Sequence, residues 1–106
     1  MNDENGSDRD PVPASAGAEV RILEICNKKG LHARASAKFC QIVERFDADV
    51  RVTRGGETVG GTSIMGLMML GAGIGSKIRI EASGNEAAAV ADALEKLVTS
   101  GFGEED

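Results

Sequence analysis

The sequence predicts an α+β fold, an open-faced sandwich. A four-stranded antiparallel sheet carries three helices on one side, in the order β-α-β-β-α-β-α. Three observations carry this expectation. Short runs alternate apolar and polar residues, the period of a half-buried strand, as in residues 48–54 and 77–82. Gly55-Gly56, between two such runs, is a two-residue hairpin signal. The helix-period runs are apolar on one face only, so each covers something on one side and meets water on the other. Helices confined to one face of an antiparallel sheet satisfy all three patterns.

A chain of 106 residues is the length of one domain with a single modest core. We expect residues 1–18 to be a disordered leader. They are polar, with Pro11 and Pro13 among small residues, and offer little apolar surface to offset ordering entropy. Residues 19–106 are the expected domain. With three Phe and no Trp or Tyr, the chain lacks the aromatic faces on which bases stack. A net charge of −5 likewise argues against nucleic-acid and anionic-membrane partners. Cys26 and Cys40 have no metal-ligand spacing, so we expect reduced thiols, no metal and no cofactor. The chain shows no basic-then-apolar signal segment and no apolar run near the roughly 20 residues of a membrane span. The expectation is a cytoplasmic protein without membrane insertion.

Taken in order, residues 19–26 are β-branched and form the first strand. Its phase stays open, because Val20 and Ile22 share one face while Leu23 and Ile25 share the other. Asn27-Lys28-Lys29-Gly30 is a turn. A helix runs from His32 to about Arg45, with Ser36, Phe39, Cys40 and Val43 on its inner face. Residues 48–54 and 57–60 form the hairpin, and Ser63 opens a second helix. Gly71 is placed to stop that helix. Residues 77–82 form the last strand, and Ser83-Gly84-Asn85 is a turn supplying a helix N-cap. The final helix, residues 86–100, carries Ala87, Val90, Ala91, Leu94, Leu97 and Val98 as its apolar stripe. Phe102 tucks back, and Glu104-Glu105-Asp106 reads as a solvated acidic end.

The stretch Gly30-Leu31-His32-Ala33-Arg34-Ala35-Ser36-Ala37 holds the only histidine. It reads as a turn delivering His32 to a helix N-terminus. The first N–H groups of a helix have no intrahelical partner, and the helix dipole adds partial positive charge there. Such an end attracts anions. It also disfavours an imidazolium, leaving one ring nitrogen with a lone pair for attack. A nucleophilic nitrogen, free N–H donors and the Arg34 guanidinium together suit a phosphoryl group. The competing reading is a histidine that only caps or packs its helix.

Ser63 is a strong N-cap residue. Its helix, Ile64-Met65-Gly66-Leu67-Met68-Met69-Leu70, is apolar nearly all round. Either everything is buried or one side is an exposed patch. With Leu67 and Leu70 assigned to the core, Ile64, Met65 and Met68 are the candidate partner surface, since methionines adapt to several partners.

Two segments resemble the HPr family, the histidine phosphocarriers of the bacterial phosphotransferase system. Gly-Leu-His-Ala-Arg (30–34) resembles its phosphorylation-site motif, and Ser-Ile-Met-Gly-Leu-Met (63–68) resembles its regulatory serine motif. The likeness spans residues 19–102. The ending Ser-Gly-Phe-Gly-Glu-Glu-Asp and the spacing Asn-Lys-Lys-Gly-Leu-His are more like the nitrogen-related branch. The resemblance implies a carrier that takes a phosphoryl group from enzyme I onto His32, at Nδ1. It then hands the group to an acceptor A-domain of the same system. Arg34 and the N–H groups of Ala33 and Arg34 would hold the phosphoryl oxygens. The resemblance also implies a stoichiometric carrier rather than an enzyme, a monomer with its faces free, and a serine kinase/phosphorylase acting on Ser63. Three positions depart from the family pattern: Ala35 replaces the usual proline, Ser36 a small apolar residue, and Thr62 a lysine. The alternative is a regulatory HPr paralogue, a binding module signalling through Ser63; such paralogues typically lack the histidine, so His32 with Arg34 counts against it. A small hydrolase of the acylphosphatase type would need a phosphate loop that Arg54-Gly55-Gly56 is too weak to supply. A plain adaptor domain would leave the His–Arg pair unexplained.

Overall fold

The structure is a computed structural model that describes residues 18–104. The expected leader, apart from Ala18, lies outside the described residues, as do Glu105 and Asp106. The elements follow the expected order: β1 (Glu19–Glu24), α1 (Ala33–Glu44), β2 (Asp49–Arg54), β3 (Glu57–Gly60), α2 (Ile64–Met69), β4 (Lys77–Ser83) and α3 (Ala87–Thr99). A short 3-10 turn, Gly101–Gly103, follows α3. The sheet order is β1-β4-β2-β3, with every pair antiparallel.

One sheet face is apolar and one is wet. Val50 and Val52 of β2, with Ile78, Ile80 and Ala82 of β4, point into the core. β1 joins them with Leu23, and Ile25 just beyond it is also buried. The open phase of β1 is therefore settled: Val20 and Ile22 face outward and are exposed. Register decides this, because Leu23 lies opposite Ile78 while Ile22 lies opposite Arg79. A one-residue slip would turn Leu23 to water.

Three helices close the apolar face. α1 contributes Ala35, Ser36, Phe39, Cys40 and Val43, α2 contributes Leu67, and α3 contributes Val90, Ala91, Leu94 and Val98. Each large apolar side chain fully buried here adds about 1.5–3 kcal/mol relative to exposure. The stripe expected for α3 holds, except that Leu97 is only partly buried.

The expected Asn85 cap is not formed. Glu86 is the N-cap residue of α3 and makes no side-chain capping bond. Asn85 instead donates to the Asp47 carboxylate at 2.8 Å, and the Glu86 carboxylate accepts from the Asp47 N–H at 2.6 Å. The polar groups of this turn are spent on tying the end of α1 to the start of α3. β4 also runs one residue beyond its expected end, because Ser83 pairs with Asp49.

Candidate functional site

β1 runs into a turn that delivers His32. Gly30 N–H donates to Asn27 O at 3.2 Å, and Leu31 N–H donates to Ala72 O at 3.0 Å. Gly30 has φ +63°, which a residue with a side chain adopts only at a cost. His32 then occupies the N-cap of α1 in extended backbone conformation, and its side chain makes no capping bond. The first intrahelical bond is Ser36 N–H to His32 O at 2.9 Å. The N–H groups of Ala33 and Arg34 precede it and have no intrahelical acceptor. The capping alternative is thereby removed, since the imidazole is not used on its helix. Ala35 is fully buried, and Ser36, also buried, gives its hydroxyl proton to Leu31 O at 3.2 Å.

The His32 ring meets a carboxylate. Its Nε2 lies 2.5 Å from Glu104 Oε2, with the histidine side chain 27% exposed and the glutamate 11%. Asn27 Nδ2 donates both to Glu104 Oε1 at 3.0 Å and to Gly30 O at 3.0 Å. The expected solvated acidic end is therefore corrected at Glu104. The cause is the turn before it, where Gly101, Phe102 and Gly103 all have positive φ (67°, 58° and 71°) and fold the chain back. Phe102 is fully buried, which offsets the strain, and Lys38 Nζ donates to its carbonyl at 2.7 Å. The hydrogen bond from His32, then that from Asn27, holds the Glu104 carboxyl below its usual range, with the charge of Lys38 adding to the effect.

Arg34 and Ala33 are exposed on the first turn of α1. Arg34 makes no ion pair among the described residues, so its guanidinium is available to an incoming anion. A shallow depression of about 310 Å³ brings His32 together with Met68 of α2, and Lys29, Leu31, Gly71, Ala72 and Gly73 complete its lining. Lys29, read from sequence only as part of a turn, supplies a cation to this rim.

Ser63 caps α2 by accepting from Gly66 N–H at 2.9 Å. Ile64, Met65 and Met68 are exposed, while Leu67 and Leu70 are buried. The helix thus shows an apolar patch to solvent. Met69 (72% exposed) and Ile74 (61% exposed) are also exposed and were missed in the sequence. Helical spacing alone would have placed Met69 beside Met65. Ile74 lies in a loop, where no periodicity points to it.

An open-faced sandwich thus presents a partly exposed histidine at a helix start, two positions before an arginine that has no ion pair among the described residues, an arrangement suited to a small carrier of the histidine phosphocarrier class. The family model described as "PTS HPr component phosphorylation site" matches residues 20–100. The chain is 49% identical over 84 residues to the phosphocarrier protein HPr of Cupriavidus necator, covering 79% of this chain and 94% of that one. It is 39% identical over 84 residues to the phosphocarrier protein NPr of Shewanella violacea, covering 79% and 92%. The crystal structure of HPr-C-His from Thermoanaerobacter tengcongensis superimposes with a TM-score of 0.79 at 38% identity, covering 83% of this chain and 99% of that one. The chain belongs to the HPr family of phosphocarriers of the phosphotransferase system.

Proposed function

We propose that His32 is the phosphoryl acceptor of a stoichiometric carrier, loaded by phosphorylated enzyme I and discharged to an acceptor A-domain. The observation that carries this reading is the state of the His32 side chain, which sits at a helix N-cap position without capping it, two positions before an exposed Arg34 that has no ion pair among the described residues. In loading, the N–P bond of the donor phosphohistidine breaks as a new N–P bond forms at His32, and the phosphoryl oxygens carry the spread charge. Arg34 pairs with those oxygens, and the N–H groups of Ala33 and Arg34 face them. Helix-end stabilisation of an exposed anion is modest, about 0.3–1 kcal/mol. A carrier that must release its cargo needs no more. The protein acts as a cytoplasmic monomer with no metal or cofactor in the transfer.

Ile64, Met65 and Met68 form the partner surface in this reading, with Met68 reaching the same depression as His32. Ser63 is a regulatory site for a serine kinase/phosphorylase. A phosphate on its Oγ adds about 1.5–2 negative charges at the edge of that apolar patch. The charge is tolerated at the helix start but alters docking.

The test is a relay assay with phosphoenolpyruvate, enzyme I and an acceptor A-domain. The expected product is an acid-labile, alkali-stable phosphoryl group on this chain that disappears when acceptor is added. An acid-stable group, or one that acceptor does not discharge, would remove the carrier reading.

A further inference from the structure

The site contains a carboxylate and a buried amide that the transfer step above does not use. We propose that Asn27 and Lys38 hold the C-terminal turn so that Glu104 keeps the proton of His32 on Nε2 and leaves Nδ1 as the bare, attacking nitrogen. This inference rests on the reading of His32 as the acceptor and specifies how that residue is prepared.

An ionised carboxylate can only accept a hydrogen bond. The ring nitrogen 2.5 Å from Glu104 Oε2 must therefore be the one that bears hydrogen. In a neutral imidazole the other nitrogen, Nδ1, then carries the lone pair. A carboxylate that fixes a histidine tautomer from behind is a general device for aiming the opposite nitrogen.

The supports of Glu104 are built rather than incidental. Both partners of the Asn27 amide nitrogen, Gly30 O and Glu104 Oε1, are acceptors, so the amide orientation is fixed. That orientation leaves Asn27 Oδ1 buried without a partner. A buried orphan acceptor is a cost the fold bears in order to aim both amide hydrogens. Lys38 pins the Phe102 carbonyl, and Phe102 holds a positive φ that non-glycine residues seldom adopt. Asn27 on the carboxylate itself, and Lys38 through Phe102 on the turn before it, thus hold Glu104 against the ring nitrogen from separate parts of the chain.

The arrangement also simplifies the chemistry. When the N–P bond forms, the electron pair comes from Nδ1 and no proton leaves the ring. The phosphorylated ring is then cationic, with its remaining N–H against Glu104. When the N–P bond breaks toward the acceptor, the pair returns to Nδ1. Loading and discharge both proceed with the Nε2 proton in place. Glu104, Asn27 and Lys38 are positioning residues in this scheme.

The experiment is imidazole nitrogen NMR of the unphosphorylated chain, at a pH where the ring is neutral. It compares the unaltered protein with Glu104→Ala, Glu104→Asp and Asn27→Ala, each shown to be fully folded at the temperature and pH of the measurement. The unaltered protein is expected to show a single tautomer protonated at Nε2. Glu104→Ala should give a mixture of tautomers, Asn27→Ala a partial one, and Glu104→Asp a partial recovery relative to Ala. If Asn27→Ala unfolds, Lys38→Met replaces it with the same expectation. A proton on Nδ1 in the unaltered protein, or an unchanged tautomer in Glu104→Ala, overturns the proposal. Phosphorylation of the same samples by enzyme I is read separately. An unchanged tautomer with normal loading sinks only the positioning role. The expected tautomer without any loading sinks the carrier reading and leaves the geometry standing.

Discussion

Gly30 lies so close to Ala72 that no side chain fits between them. A Cβ built on Gly30 falls 2.2 Å from the Ala72 carbonyl oxygen and 2.8 Å from Gly73 Cα. The same carbonyl accepts the Leu31 N–H. The turn that delivers His32 is thus seated directly on the loop that follows α2.

Gly30→Ala adds a backbone clash to the cost of a positive φ. We expect a loss of about 2–4 kcal/mol, read as a fall in the denaturant midpoint at unchanged slope. Loading of His32 should fall with it, because the Leu31–Ala72 bond cannot survive the separation.

The alternating strands, the hairpin and the one-faced helices were legible because their periods are local. The phase of β1 was not, since Val20/Ile22 and Leu23/Ile25 are equally apolar and only the pairing with β4 separates them. His32, Arg34 and Ser63 stood out as motif residues at expected helix starts. Glu104 did not. It meets His32 across 72 positions, through a turn in which a phenylalanine adopts the backbone conformation of a glycine. No local propensity announces such a turn, and the burial of Phe102 that stabilises it is a tertiary effect.

Ser63→Ala removes the Gly66 N–H bond and should cost about 1 kcal/mol in thermal unfolding. Ser63→Asp retains a capping oxygen and places negative charge at a helix start, so its stability should stay within a few tenths of a kcal/mol. If Ser63 is a docking switch, Ser63→Asp raises the KM for enzyme I while Ser63→Ala leaves it unchanged.

The Glu104 carboxyl is held below its usual range by the hydrogen bonds from His32 and Asn27, with Lys38 nearby. A carboxyl whose folded pKa is depressed adds stability above its unfolded value, about 4.3. That stability is lost as pH falls through the folded value. The stability that the Glu104 carboxylate adds over Glu104→Gln should therefore shrink as pH falls below about 4. A carboxyl NMR titration should place Glu104 lower in the unaltered protein than in Asn27→Ala.

Cys26 is exposed and Cys40 is buried. Burial, with Glu44 adding to it, pushes the Cys40 thiol up and suppresses its reactive thiolate. A thiol reagent at neutral pH should label Cys26 in the native protein and reach Cys40 only after denaturant is added. Equal labelling rates would contradict the packing of α1 on the sheet.

The most direct test of the account is intact mass after incubation with phosphoenolpyruvate and active enzyme I, for the unaltered chain beside His32→Ala and Arg34→Ala. The account predicts one added phosphoryl group on the unaltered chain, none on His32→Ala, and slower addition to Arg34→Ala. No addition to the unaltered chain, or addition that persists in His32→Ala, would contradict it.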